Sequence, residues 1–115
     1  MTKRNAVIYC RVACASQMAD DPALLAQEKE CRAYAATHDL TVTSIFHDAG
    51  ISGLRTDRPG WQDMMQCLQK ITTPHSVLVA DETRLARDNH LSGTLQHECK
   101  QLGHTVVFAN VPSAL

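Results

Sequence analysis

Ala6-Val7-Ile8-Tyr9-Cys10-Arg11-Val12-Ala13-Cys14-Ala15-Ser16-Gln17 is the stretch from which the rest of the 115-residue chain is read. It opens with an apolar run that follows Arg4 and Asn5. A strand buried on both faces of a parallel sheet has this pattern, because both of its sides must be apolar. Arg11 interrupts the run near its end. A guanidinium is costly there unless it reaches the carboxyl edge of the sheet, where open α/β folds bind ligands. Two readings are open. Arg11 snorkels to solvent at a strand end, or it binds an anion in a crevice on that edge.

The length suits one domain with a core of its own. A net charge of −1 gives no bulk attraction to nucleic acid or to a membrane surface. Nucleic-acid contact would need a local basic cluster or a part of the protein outside this sequence. The five cysteines are Cys10, Cys14, Cys31, Cys67 and Cys99. An odd number, no C-x-x-C and no secretory leader favour reduced thiols in a cytoplasmic protein. Cys10 and Cys14 lack His or Cys partners at ligand spacing, so no metal is expected. No apolar run approaches membrane-spanning length.

Beyond the first loop, Asp21 suits a helix cap and Pro22 its first turn. Leu24, Leu25, Glu28, Cys31, Arg32 and Ala35 then recur at helical spacing to about His38, with Leu24, Cys31, Tyr34 and Ala35 as a thin core face. Leu40 to Phe46 reads as a second strand. Asp48-Ala49-Gly50-Ile51-Ser52-Gly53 reads as a glycine-punctuated loop running to Asp57. It is either a plain connection or a site of close ligand approach. Pro59 opens a helix whose Trp61, Met64, Met65, Leu68 and Ile71 form the clearest amphipathic stripe, read as core packing. Val77 to Ala80 is the third strand. Asp88 caps a helix carrying Leu91, Leu95, Cys99 and Leu102, and Gly103 stops it. Thr105 to Ala109 is the fourth strand.

The order β-α-β-α-β-α-β predicts a three-layer α/β domain. Its sheet is mainly parallel, of four to five strands, with helices on both faces. The loops after the first three strands then share one edge. That edge carries Arg11, Ser16, Gln17, Asp48, Ser52, Arg58, Asp81, Glu82, Arg84 and Arg87. Arg84 and Arg87 would share one face of a helical turn. Guanidinium groups stay charged and fit phosphate oxygens with a planar fork of donors. Gathered without paired acids, they suit an anion that gains charge in a transition state. The alternative is ion pairing with Asp81, Glu82 or Asp88.

Taken together, Tyr9-x-Arg11-Val12-x-x-x-x-Gln17, Leu25-x-Gln27, Cys31, Tyr34-Ala35, Asp48-x-Gly50-Ile51-Ser52-Gly53, Arg58-Pro59 and Arg84-Leu85-x-Arg87-Asp88 resemble the catalytic domain of serine site-specific recombinases. This is the resolvase and DNA-invertase family with its large integrase and transposase branch. The resemblance covers nearly the whole chain. It implies a resolvase-type sheet in the flavodoxin-like order 2-1-3-4. It also implies cleavage of double-stranded DNA by a serine hydroxyl, a 5′-phosphoserine link, strand exchange in a synaptic tetramer, and religation. No metal or cofactor is implied. By the same resemblance, Arg11, Arg84 and Arg87 hold the scissile phosphate. Tyr9, Gln17, Gln27, Asp48, Ser52, Arg58, Asp81 and Thr83 are then supporting positions. The chain would stop before the long dimerisation helix and the DNA-binding domain, so this part alone would bind DNA weakly.

Two departures stand out. The nucleophile position, two residues after the first arginine, holds Ala13. Alanine has no Oγ, and losing a nucleophile costs on the order of 10⁶-fold while phosphate binding survives. Neither Cys14 nor Ser16 stands in register to replace it. At Thr83 many relatives carry an aspartate directly before the arginine, and here an acid lies two residues earlier, at Asp81. Two rivals remain: a non-catalytic assembly module of the same fold, and a magnesium-dependent phosphoryl-transfer domain using Asp48, Asp81 and Glu82.

Overall fold

The computed structural model describes residues 4–12, 22–49 and 58–110. The elements are β1 (Arg4–Val12), α1 (Pro22–Thr37), β2 (Leu40–Ala49), α2 (Pro59–Gln69), β3 (His75–Val79), α3 (Glu82–Leu85), α4 (Asn89–Gln101) and β4 (Thr105–Phe108). Among the described residues the sheet has four strands, all parallel, in the order β2-β1-β3-β4.

β1 is the central strand, and its period of two sorts the core. Val7 and Tyr9 face Trp61, Met64 and Leu68 of α2 and Leu91, Leu95 and Cys99 of α4. Ala6, Ile8, Cys10 and Val12 face Leu24, Cys31 and Ala35 of α1. The strand is apolar on both sides because it has a helix layer on both sides. α1 covers one face; α2, α3 and α4 cover the other.

α2 starts with Pro59 at its first turn, and Trp61, Met64 and Leu68 of the expected stripe are buried. Met65 and Ile71 pack at its margin. α4 is capped by Asp88, whose carboxylate accepts the His90 N–H at 2.7 Å. It is closed by Gly103 at φ +89°, with the His104 N–H donating back to the Cys99 carbonyl at 3.0 Å.

Four expectations need correction. β2 continues past Phe46 to Ala49, so Asp48 sits in the strand, opposite Arg11, and not in the loop. The pairing with β1 extends the strand where side-chain alternation alone gave no signal. On α1 the fourth buried residue is Gln27, while Tyr34 is half-buried and stacks on His38 with ring centroids 3.8 Å apart. Between β3 and α4 stands a short helix, α3, capped by Asp81. Finally, α3 ends at Leu85 and Ala86 is extended at φ −160°, so Arg84 and Arg87 do not share a helical face.

Candidate active site

β1 connects to β2 through α1 on one face, and β3 reaches β4 through α3 and α4 on the other. The two crossovers diverge at the boundary between β1 and β3. The edge beyond the carboxyl ends of those strands is the place where doubly wound folds bind ligands. Arg11 stands at the end of β1, and Asp81, Thr83, Arg84 and Arg87 follow the end of β3.

Arg11 is buried, at 3 % exposure, and does not snorkel. It lies on the Val7–Tyr9 side of the strand, so its guanidinium reaches α3. Its Nε donates to the Arg84 carbonyl at 3.0 Å and its Nη2 to the Thr83 carbonyl at 2.9 Å. Arg58, fully buried, donates through Nη1 to the Leu85 carbonyl. The last carbonyls of a four-residue helix have no partners of their own, and two guanidinium groups supply them. Burial lowers the basicity of Arg11, and the charges of Arg58, Arg84 and Arg87 lower it further, against an opposing effect of Tyr9. The structure therefore brings Arg11, Arg84 and Arg87 together and adds Arg58 to them. The resemblance placed Arg58 only in a supporting role. Its clue in the sequence is position: an arginine directly before Pro59 sits where α2 meets the sheet.

The nearby acids serve helix starts. Asp81 accepts the Arg84 N–H at 3.1 Å and the Thr83 hydroxyl. Asp88 caps α4, and Glu82 accepts the Ser92 hydroxyl at 3.0 Å. Among the described residues neither Arg84 nor Arg87 has a carboxylate partner. Ion pairing with Asp81, Glu82 or Asp88 is thus not what gathers these arginines.

Asp48 is buried and takes three donors. Its Oδ1 accepts the Gly60 N–H at 2.7 Å, and its Oδ2 accepts the Trp61 N–H at 3.0 Å and the Tyr9 hydroxyl at 2.8 Å. It fixes the start of α2 against the ends of β1 and β2. Burial, with the Asp48 charge behind it, pushes the Tyr9 phenol well above its usual range, so Tyr9 acts as a neutral donor. With its oxygens so engaged, Asp48 is a poor candidate for the hard-oxygen ligand of the magnesium reading. Among the described residues no cluster of three or more His, Cys, Asp or Glu side chains forms a metal site. Gln27 meets the main chain of Arg11. Ala13, Gln17 and Ser52 lie outside the described residues.

Sequence reading missed Gly60. A Cβ there would stand 2.2 Å from the His47 carbonyl oxygen, so the first turn of α2 approaches β2 as closely as only glycine allows. The run Arg58-Pro59-Gly60 was the available signal.

By fold and site the chain is a doubly wound α/β domain with arginines gathered at its strand crossover. It belongs to the family described as the resolvase N-terminal domain, whose model matches residues 6–114. This is a family of serine recombinases, and its work is site-specific recombination. The fold is similar to the N-terminal catalytic domain of TP901-1 integrase, at 24% identity and TM-score 0.81 over 93% of this chain and 79% of that one. It is also similar to the C-terminal catalytic domain of ISC1926 TnpA, an IS607-like serine recombinase, at 22% identity and TM-score 0.76 over 96% and 71% of the two chains. A resolvase family site-specific recombinase from Streptococcus pneumoniae gives 24% identity and TM-score 0.76 over 93% and 72%. No significant match is found among the curated proteins. Among the described residues no helix is long and apolar enough to cross a membrane.

Proposed function

We propose that this domain holds the scissile phosphate of double-stranded DNA among Arg11, Arg58, Arg84 and Arg87. It does so as the catalytic domain of a serine recombinase in the cytoplasm. The domain acts in dimers and synaptic tetramers, joined to a dimerisation helix and a DNA-binding domain. The family reaction then runs from position 13. A serine Oγ bonds to phosphorus as the bond from phosphorus to the 3′ oxygen breaks, and the 3′ hydroxyl leaves with the proton. The reverse attack rejoins the strands after exchange. With Ala13 at that position, this chain binds phosphate but forms no covalent link.

One observation supports the reading above the rest. Arg11 is buried among three further arginines that depress its basicity, while Arg84 and Arg87 have no carboxylate partner among the described residues. Such an arrangement suits an anion, and a phosphate that gains charge during reaction fits it best. The net charge of −1 implies that the cluster acts locally, with most DNA affinity coming from elsewhere in the protein.

The test is Ala13→Ser in the full-length protein, incubated with duplex DNA nicked near the crossover so that strand release traps the intermediate. The serine variant is expected to give a protein–DNA adduct stable to denaturing electrophoresis, and the alanine form none. No adduct with serine, despite intact DNA binding, would support the non-catalytic assembly module.

A further inference from the structure

β1 outruns its neighbour on the β3 side. Its pairing with β2 continues to Val12↔Ala49, but its pairing with β3 stops at Ile8↔Leu78. The next carbonyls of the β3 segment, on Val79 and Ala80, already accept N–H groups from Ala109 and Asn110 on the far side. The register of β1 with β3 does not extend to Arg11. Gln27 fills that place. From α1, at 2 % exposure, its Nε2 donates to the Arg11 carbonyl at 2.9 Å and its Oε1 accepts the Arg11 N–H at 3.1 Å. A carboxamide carries one donor and one acceptor in the geometry of a peptide group, so it can stand in for a strand neighbour. Neither a hydrocarbon nor a carboxylate offers both.

The consequence reaches the other face of the sheet. The side chain of the same residue holds the Thr83 and Arg84 carbonyls. A line of direct contacts thus runs from α1 through the backbone and side chain of Arg11 to α3 and its arginine. We propose that Gln27 is a positioning residue for the anion site. It fixes the height of Arg11 along β1 and, through the Arg11 guanidinium, the place of Arg84. The inference rests on the arginines being the anion site, and it deepens that reading.

Gln27→Glu keeps the side-chain length and the acceptor but removes the donor. Gln27→Met keeps the bulk and removes both. Three measurements on the 115-residue chain decide the matter. In the unmutated chain, NMR should show a scalar coupling across the hydrogen bond between the Arg11 amide nitrogen and the Gln27 side-chain carbonyl carbon. In each variant that keeps a cooperative thermal transition, the Arg11 Nε–H resonance should lose its slow exchange with water. Sulfate affinity, read at the Arg84 and Arg87 resonances, should fall about tenfold or more, with Gln27→Met at least as impaired as Gln27→Glu. A role confined to packing α1 would lower the transition temperature and leave the Arg11 Nε–H and the sulfate affinity unchanged; that result overturns the proposal. So does absence of the coupling in the unmutated chain, which needs no variant to fold. If the unmutated chain shows no sulfate binding, the anion reading fails separately, while the coupling and the Arg11 exchange still test the link from Gln27.

Discussion

Two arginines of this domain are inside the protein, and a carboxylate stands beneath them. Arg11 and Arg58 bond to carbonyls of one short helix, and Asp48 gathers the first N–H groups of another. Hydrogen bonds to charged groups are worth about 1.5–3 kcal/mol each, which is how such groups remain buried. Gly60 is what lets Asp48 reach the start of α2. Gly60→Ala puts a methyl 2.2 Å from the His47 carbonyl oxygen and 3.0 Å from the Asp48 carboxyl carbon. Backbone cannot yield cheaply there, so a loss of about 3 kcal/mol is expected, at the upper end of overpacking costs. Gly93, in α4, has nothing within 4 Å of its would-be Cβ. Gly93→Ala should therefore gain up to about 1 kcal/mol from helix propensity. Urea midpoints measure both. If Gly60→Ala leaves the midpoint unchanged or raises it, the close approach of α2 to β2 is wrong.

Among the elements, the long ones were legible and the short one was not. The apolar run of β1 and the stripe of α2 carry enough period to be read directly, and Asp88 and Gly103 bound α4 as their chemistry requires. α3 has four residues, too few for any period to show. It exists because Asp81 caps its start while Arg11 and Arg58 take its last carbonyls. Those partners are 72 to 73 residues away for Arg11 and 27 for Arg58, and no local pattern encodes them. Strand order was enough to set Arg11, Arg84 and Arg87 on one edge, but the same distance hid the carbonyls that Arg11 and Arg58 hold. Gln27 had the same difficulty, since a glutamine on a helix reads as surface. Asp81→Ala removes the cap of α3 and should cost about 1 kcal/mol. Its local signature is amide exchange at Arg84, faster by about fivefold for a loss of that size. Asp88→Ala, at the start of α4, should leave the Arg84 exchange alone. Equal effects of the two on that amide would mean that α3 is held by α4 and not by its own cap.

At the scale of the whole molecule, the doubly wound sheet buries three thiols and one phenol that solvent does not reach. Cys10, Cys31 and Cys99 are at 0% exposure, on both sides of the sheet. Burial pushes each thiol from 9.0 up to about 12, helped at Cys10 by Cys31 and Glu28, at Cys31 by Glu30 and Glu28, and at Cys99 by Glu98. Tyr9 is raised in the same direction, first by burial and then by Asp48. In the folded chain these groups keep their protons, whereas in the unfolded chain the thiols begin to ionise near 9. The unfolded state then binds fewer protons, so stability must fall as pH rises. The contribution is complete below about pH 9 and is lost between about 9 and 12, with Tyr9 adding to the loss once an exposed phenol would ionise, near 10. Each fully protected group contributes about 1.4 kcal/mol per pH unit, so three thiols give a slope of about 4 kcal/mol per unit. A domain of ordinary stability, about 5–15 kcal/mol, should therefore unfold in a narrow window within one to a few pH units above 9. Urea unfolding between about pH 8 and 11 measures the slope, and Cys31→Ala should make it shallower while lowering stability at neutral pH. A stability that stays level to about pH 10.5 would mean that the thiols meet water, and that α1 does not close its face of the sheet as the packing of Leu24, Cys31 and Ala35 requires.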